Sequence, residues 1–200
     1  KISHLVPENA LITTDVGQNQ VWVAQSFDLK NGQEVLFSGG HGAMGYSLPA
    51  AIGAYYANRN RSVVSINGDG GIQMNIQELQ FIAREQLPIK IIVFNNAALG
   101  MIRHFQEMYF NSNYFQTKAE GGYTTPELSL IANAYGIRSF CINDIDELHD
   151  NGIFIDDKPV FIEIKINENT YVFPKLEFGK PNQDQEPLID RAKYERLMNL

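Results

Sequence analysis

Two short runs carry residue types at a spacing that could do chemistry. Gly68-Asp69-Gly70-Gly71 lies between a β-rich stretch and an amphipathic one, and 24 residues separate Gly70 from the pair Asn95-Asn96. Glycines at the carboxyl end of a strand in a parallel α/β sheet let the backbone approach a phosphate, and the next helix offers it free N–H groups. A carboxylate facing a phosphate is repulsive unless a cation lies between them. Asp69 therefore points to a hard divalent ion such as Mg²⁺, which prefers oxygen ligands at about 2.1 Å in octahedral geometry. The plain alternative is a tight turn whose Asp69 only caps the following helix, and the tetrapeptide alone leaves both readings open. Asn95-Asn96 adds to the first. Two consecutive Asn at the end of a buried strand are costly unless their amides find partners. Asn96 can give its amide oxygen to a cation, and the loop Ala97-Ala98-Leu99-Gly100 can add a backbone carbonyl. The intervening length fits one helix and one strand, so adjacent parallel strands would bring Asp69 and Asn96 to neighbouring ends.

The rest of the chain supplies elements to hold these loops. Residues 10–14, 34–37, 62–66, 89–94 and 160–166 read as strands, and 89–94 is apolar enough to be covered on both faces. Helices are expected from Gly17 to about Ser26, over 46–57 as a buried helix with Pro49 in its first turn, over 73–86, and over 99–109. Thr125-Pro126-Glu127 reads as N-cap, first turn and acidic helix start, with Leu128, Ile131, Ala132 and Tyr135 as the inner stripe and Gly136 as the stop. Strands alternating with helices imply an α/β fold with a doubly wound, mostly parallel sheet and helices on both faces. After Val172 the texture changes: Pro174, Gly179, Pro181 and Pro187 mark residues 173–200 as an irregular tail ending in a short helix over 190–199.

Composition narrows the classes. At about 150 residues per domain, 200 residues are one domain with an appendage. A chain of this length buries about 70% of its unfolded surface. Sixteen basic against twenty-three acidic residues, net −7, argue against nucleic acid as a partner. A lone cysteine, Cys141, excludes an internal disulfide framework and a Cys-clustered metal site, and fits a reducing, cytoplasmic compartment. No apolar run approaches the 18 residues of a membrane span. The opening residues KISHLVPENA lack signal-peptide anatomy and an initiator Met, which points to a piece of a longer chain.

Gly-Asp-Gly followed by Asn-Asn at this distance resembles the signature of thiamine-diphosphate-dependent enzymes. Thr14-Asp15-Val16-Gly17-Gln18, 38–45 (SGGHGAMG), 48–53 (LPAAIG) and Leu99-Gly100-Met101-Ile102 are similar to stretches of the acetolactate synthase catalytic subunit. The resemblance covers roughly residues 5–170 and implies the C-terminal, diphosphate-binding domain. It implies Asp69, the Asn96 side chain and the Ala98 carbonyl as ligands of Mg²⁺. Gly68, Gly70 and Gly71 would touch the diphosphate by their backbone, and Gln18 would approach it from the first loop. Met44 takes the position whose side chain wedges between the two cofactor rings. The Gly42 carbonyl would accept from the pyrimidine amino group, and Met101 and Ile102 would flank the cofactor. The implied chemistry is decarboxylation of a 2-oxo acid, pyruvate first, and ligation of the remaining fragment to an acceptor, as in branched-chain amino acid biosynthesis. The activating Glu belongs to a pyrimidine-binding domain of another subunit, and FAD to a middle domain; neither domain matches this chain. A homo-oligomer is the implied assembly, and the 200 residues alone should be inactive.

Other residues compete for attention. Gly40-x-Gly42-x-x-Gly45 spells the dinucleotide pattern, but no acidic residue lies between Tyr46 and Gly68, and that reading leaves Asn95-Asn96 and Met44 unexplained. His41 and His104 lack a third group at metal-ligand spacing and read as packing or hydrogen-bonding residues. Glu78 reads as structural and Cys141 as a small core residue. Glu163 and Lys165, alternating with apolar residues, mark an edge or a solvated face. Asn19, His41 and Phe105 depart from acetolactate synthases, where a His, an apolar residue and a Trp are usual. These departures leave open a relative with another acceptor, for instance in sugar biosynthesis.

Overall fold

A computed structural model describes residues 1–149, 152–175, 177–181 and 183–199. It falls into two compact units, Lys1–Thr170 and Tyr171–Leu200.

The first unit is built on six parallel strands: β1 (Leu11–Thr14), β2 (Glu34–Phe37), β3 (Val63–Gly68), β4 (Ile89–Asn95), β5 (Arg138–Ile142) and β6 (Val160–Lys165). Their order across the sheet is β2-β1-β3-β4-β6-β5. Among the described residues, seven α-helices precede, link or follow them: α1 (Ile2–Leu5), α2 (Gln18–Ser26), α3 (Ser47–Ala57), α4 (Asp69–Met74), α5 (Glu78–Glu85), α6 (Gly100–Tyr109) and α7 (Leu128–Ala134). Side chains alternate between the faces of a strand, so each central strand feeds two cores. Leu11, Val63, Ile91 and Phe161 pack with Leu48, Ile72, Leu79 and Leu128 on one face. Ile12, Val64, Ile92 and Ile162 pack with Ile2, Val23 and Phe154 on the other. That double demand is why these strands read as nearly unbroken apolar runs.

Several local expectations need correction. The helix expected over 73–86 is two helices, because α4 starts at Asp69 and stops at Asn75, whose side-chain amide donates to the Gly45 carbonyl at 2.7 Å. Gly45 has φ +85°, and a Cβ there would press on Asn75 Nδ2 and Met74 Cβ, so the helix end and the glycine require each other. The helix over 46–57 is buried on one face only, by Ser47, Leu48, Ala51 and Ala54. Thr125 does not cap α7. Glu127 holds that position, and the Thr125 hydroxyl instead accepts from Asn95 Nδ2 at 3.3 Å. Gly136 does stop α7, with φ +84° and paired bonds from Gly136 N to Asn133 O and from Ile137 N to Ala132 O. Cys141 is exposed, because β5 is an outer strand. Glu163 is fully buried, because β6 lies inside β5 and is not the edge.

In the second unit Asp190 caps α8 (Arg191–Met198) by accepting from Lys193 N at 2.9 Å. Arg191 pairs with Asp184, and the Gln185 amide bonds Glu177 N and O. Among the described residues no helix is long and apolar enough to cross a membrane.

Candidate functional site

The sheet order reverses its direction of growth between β1 and β3, since β2 lies on one side of β1 and β3, β4 and β6 on the other. Ligands of open α/β sheets bind at such a switch point, beyond the carboxyl ends of the strands. A cavity of about 380 Å³ opens there. Every residue singled out for the site lines it. Gln18 enters from the start of α2, Gly42 and Met44 from the loop after β2, and Gly68, Asp69, Gly70 and Gly71 from the end of β3. Asn96 and Ala98 come from the end of β4, and Met101 and Ile102 from the first turn of α6. Trp22 and Phe94, in edge-to-face contact at 6.0 Å, add an apolar wall.

β3 and β4 are neighbours with Gly68 opposite Phe94, which sets the Asp69 and Asn96 loops side by side. Asp69 is 2% exposed. Burial pushes its carboxyl up to about 7, partly countered by the Tyr123 hydroxyl and the backbone N–H groups of Gly70 and Ala98. The Tyr123 hydroxyl donates to Asp69 Oδ2 at 3.3 Å, and burial beside that carboxylate pushes the phenol upward. Asn96 is fixed at both ends of its amide: Nδ2 donates to Gln18 Oε1 at 2.9 Å, and Oδ1 accepts from Ala98 N at 3.3 Å. Gln18 in turn donates to the Thr170 carbonyl at 3.0 Å. Gly70 is closely packed, since a Cβ there would collide with Leu99 Cδ2 and crowd Met44 Cε and the Tyr123 hydroxyl, so only a glycine fits. The side chains of Met44, Met101 and Ile102 stand exposed at the cavity's rim.

Two participants were not singled out from the sequence. Asp15, fully buried at the end of β1, accepts from Gly45 N at 3.0 Å and from Val16 N at 2.8 Å. Burial drives its carboxyl upward, against those backbone donors. It clasps the loop that carries Met44, and a Cβ on Gly71 would strike its Oδ2. Its place in the run Thr14-Asp15-Val16-Gly17-Gln18 marked it in the sequence without giving it this role. Tyr123 had none, because it reaches Asp69 from 54 residues away. A buried ladder of Thr13, Ser47, Ser65 and Asn67, with bonds of 2.9–3.0 Å, braces β1, α3 and β3 beneath the cavity. The Gly40–Gly45 pattern does not form a dinucleotide turn: it follows the edge strand β2, and its last N–H is taken by Asp15. His41 is exposed and Glu78 opens α5.

A family described as thiamine pyrophosphate enzyme, C-terminal TPP binding domain, matches residues 15–164. The chain belongs to this family. Its relatives include the acetolactate synthase large subunits of Lactococcus lactis subsp. lactis (strain IL1403), 39% identical over 86% of this chain, and of Pyropia yezoensis, 41% identical over 94%. The acetolactate synthase isozyme 2 large subunit of Escherichia coli (strain K12) is 36% identical over 92% of it. The chain spans 29–33% of the length of these three proteins. It is thus a thiamine-pyrophosphate-binding domain, which excludes the dinucleotide alternative. The cavity lies within the matched residues.

Proposed function

We propose that this domain is the diphosphate- and Mg²⁺-binding half of an enzyme that decarboxylates a 2-oxo acid, pyruvate first, and ligates the product to an acceptor. One observation carries this reading: the cavity at the β1/β3 switch point gathers all eleven residues to which a binding role was assigned, around a buried carboxylate. The donors Asp69 carboxylate, Asn96 Oδ1 and Ala98 carbonyl are all oxygens, which suits a hard cation such as Mg²⁺. A cation beside Asp69 would offset the burial that disfavours its charge. The side-chain-free backbone of Gly70 and Gly71 lines the cavity at the first turn of α4, where it would suit a diphosphate held beside the cation.

In this reading each side chain has a mechanical task. Asp69, Asn96 and Ala98 hold the metal, and Gly68, Gly70 and Gly71 offer backbone to the diphosphate. Gln18 locks Asn96 in place through its Oε1. Asp15 fixes the loop that presents Met44 and the Gly42 carbonyl, so both meet the bound cofactor in one orientation. Met44 would wedge between the two rings of the cofactor, and Met101 and Ile102 would flank it. Thiamine diphosphate supplies the carbon nucleophile and the electron sink on which the decarboxylation depends.

The exposed apolar rim supports a second component, a pyrimidine-binding domain contributed by another subunit of a homo-oligomer, which would bring the activating Glu. The binding half is assigned to residues 1–172, which the break in packing after Thr170 supports, and the compartment to the cytoplasm. Asn19, whose amide is spent on the Asp15 carbonyl at 2.6 Å, favours a second reading in which the acceptor differs from that of acetolactate synthases. Asp69→Ala in the assembled enzyme should abolish Mg²⁺-dependent binding of thiamine diphosphate in calorimetry. Unchanged affinity would refute the assignment.

A further inference from the structure

We propose that Glu163 is a positioning residue for the metal-holding loop and acts on it through Asn95. The inference rests on the Mg²⁺ reading above and adds a residue one strand away from the cavity.

Glu163 sits in β6 with no exposed surface. Its Oε1 accepts from Asn95 Nδ2 at 2.6 Å and from Lys165 Nζ at 2.6 Å, and its Oε2 accepts from Ser129 N at 2.9 Å. Asn95 ends β4, the strand that delivers Asn96 to the cavity. An Asn side chain can be turned either way, and its oxygen and nitrogen are nearly the same size. An ionised carboxylate only accepts, so Glu163 admits the amide nitrogen and rejects the oxygen. The Asn95 oxygen must then face back to its own loop, where it accepts from Ala97 N at 2.9 Å.

That bond falls at a strained point. Ala97 has φ +51°, a left-handed conformation that a residue with a Cβ seldom adopts without support. Its bend lies between Asn96 and Ala98, the two members of the donor set that the β4 loop supplies. Glu163 therefore orients Asn95, Asn95 pins the Ala97 turn, and the turn aims the Asn96 oxygen and the Ala98 carbonyl. Lys165 balances the charge of Glu163 and, among the described residues, bonds otherwise only to Glu127, so its role is separable from that of Asn95.

Partners that orient metal ligands typically contribute a factor of roughly 10–100 in metal affinity. In the assembled enzyme with saturating thiamine diphosphate, Glu163→Ala should weaken Mg²⁺ affinity in calorimetry by about tenfold or more. Glu163→Gln should stay near the native affinity, because its amide oxygen takes the side facing two donors and keeps the Asn95 bond. A purely structural Glu163 would lower the unfolding midpoint in both variants and leave Mg²⁺ affinity unchanged; a folded Glu163→Ala protein behaving so overturns the proposal. If Glu163→Ala does not fold, Asn95→Ala carries the test. It should show the same loss, and Glu163→Gln added to it should change nothing further; native Mg²⁺ affinity in Asn95→Ala overturns the proposal as well. Asp69→Ala separates the two levels. Lost binding there with native binding in Glu163→Ala overturns only the role of Glu163, whereas native binding in Asp69→Ala overturns the metal reading and this inference with it.

Discussion

Asp69 and Glu163 are both buried carboxylates near strand ends of one sheet, yet their surroundings differ. Asp69, at the cavity, receives a 3.3 Å bond from Tyr123 and a few backbone donors and, among the described residues, no bond from a cationic side chain. Its carboxyl is pushed up to about 7 by burial. Glu163 suffers the same desolvation, but the Lys165 ammonium, the Asn95 amide and the Ser129 N–H outweigh it and hold the carboxyl below its usual range. Burial alone does not set the state of a carboxylate; the donors around it do. Glu163 has its counter-charge in Lys165, whereas Asp69 faces an open cavity.

This contrast can be broken in several ways. The largest expected effect is on stability. Glu163→Ala should cost about 3 kcal/mol, because removing one partner of a buried pair costs roughly 3–5 kcal/mol and the Lys165 end is partly solvated. Asp69→Asn should leave the metal-free protein as stable or more so. Urea midpoints compare them directly, and equal losses would erase the distinction.

Next comes pH dependence, with opposite signs. The depressed Glu163 contributes stability that is present above its unfolded value of 4.5 and lost as pH falls through its folded value. The raised Asp69 contributes stability that is present below 3.8 and lost as pH rises towards about 7. Without metal, stability should therefore decline on both sides. Glu163→Gln should flatten the acid limb and Asp69→Asn the neutral one. Midpoints across pH 3–8 in the presence of a chelator check this, and added Mg²⁺ should restore the neutral limb. A smaller effect is expected at the rim. Met44→Ala should lower turnover of the assembled enzyme more than cofactor affinity, and Met44→Leu should be mild because volume is roughly conserved. Equal losses in both constants would make Met44 ordinary packing. The smallest concerns the far side of Glu163. The exposed Cys141 thiol should react with a disulfide reagent in the native chain, more slowly than a free thiol, because desolvation and the Glu163 charge push its pKa up. A thiol that reacts only after unfolding would contradict the outer position of β5.

The amino-acid sequence by itself determined the central strands and the two cavity loops that follow β3 and β4. Buried parallel strands must be apolar on both faces, and the glycines and asparagines that end β3 and β4 interrupt those runs at the places where a ligand could be met. Asp69 and Asn96 came together because one helix-and-strand spacing leads to adjacent strand ends. What only the tertiary structure decided depends on contacts between distant segments. Asn75 breaks a helix that its local pattern would continue, because the Gly45 carbonyl from another loop takes its amide. Thr125 gives up a capping role to Asn95, and Tyr123 reaches Asp69 across the end of the sheet. Glu163 and Lys165 carry the alternation of an edge strand, and Cys141 the apolar flanks of a core one. The chain nevertheless folds β5 outside β6, reversing their exposure. Strand order follows from how each crossover packs back onto the sheet, a global property that no local spacing encodes.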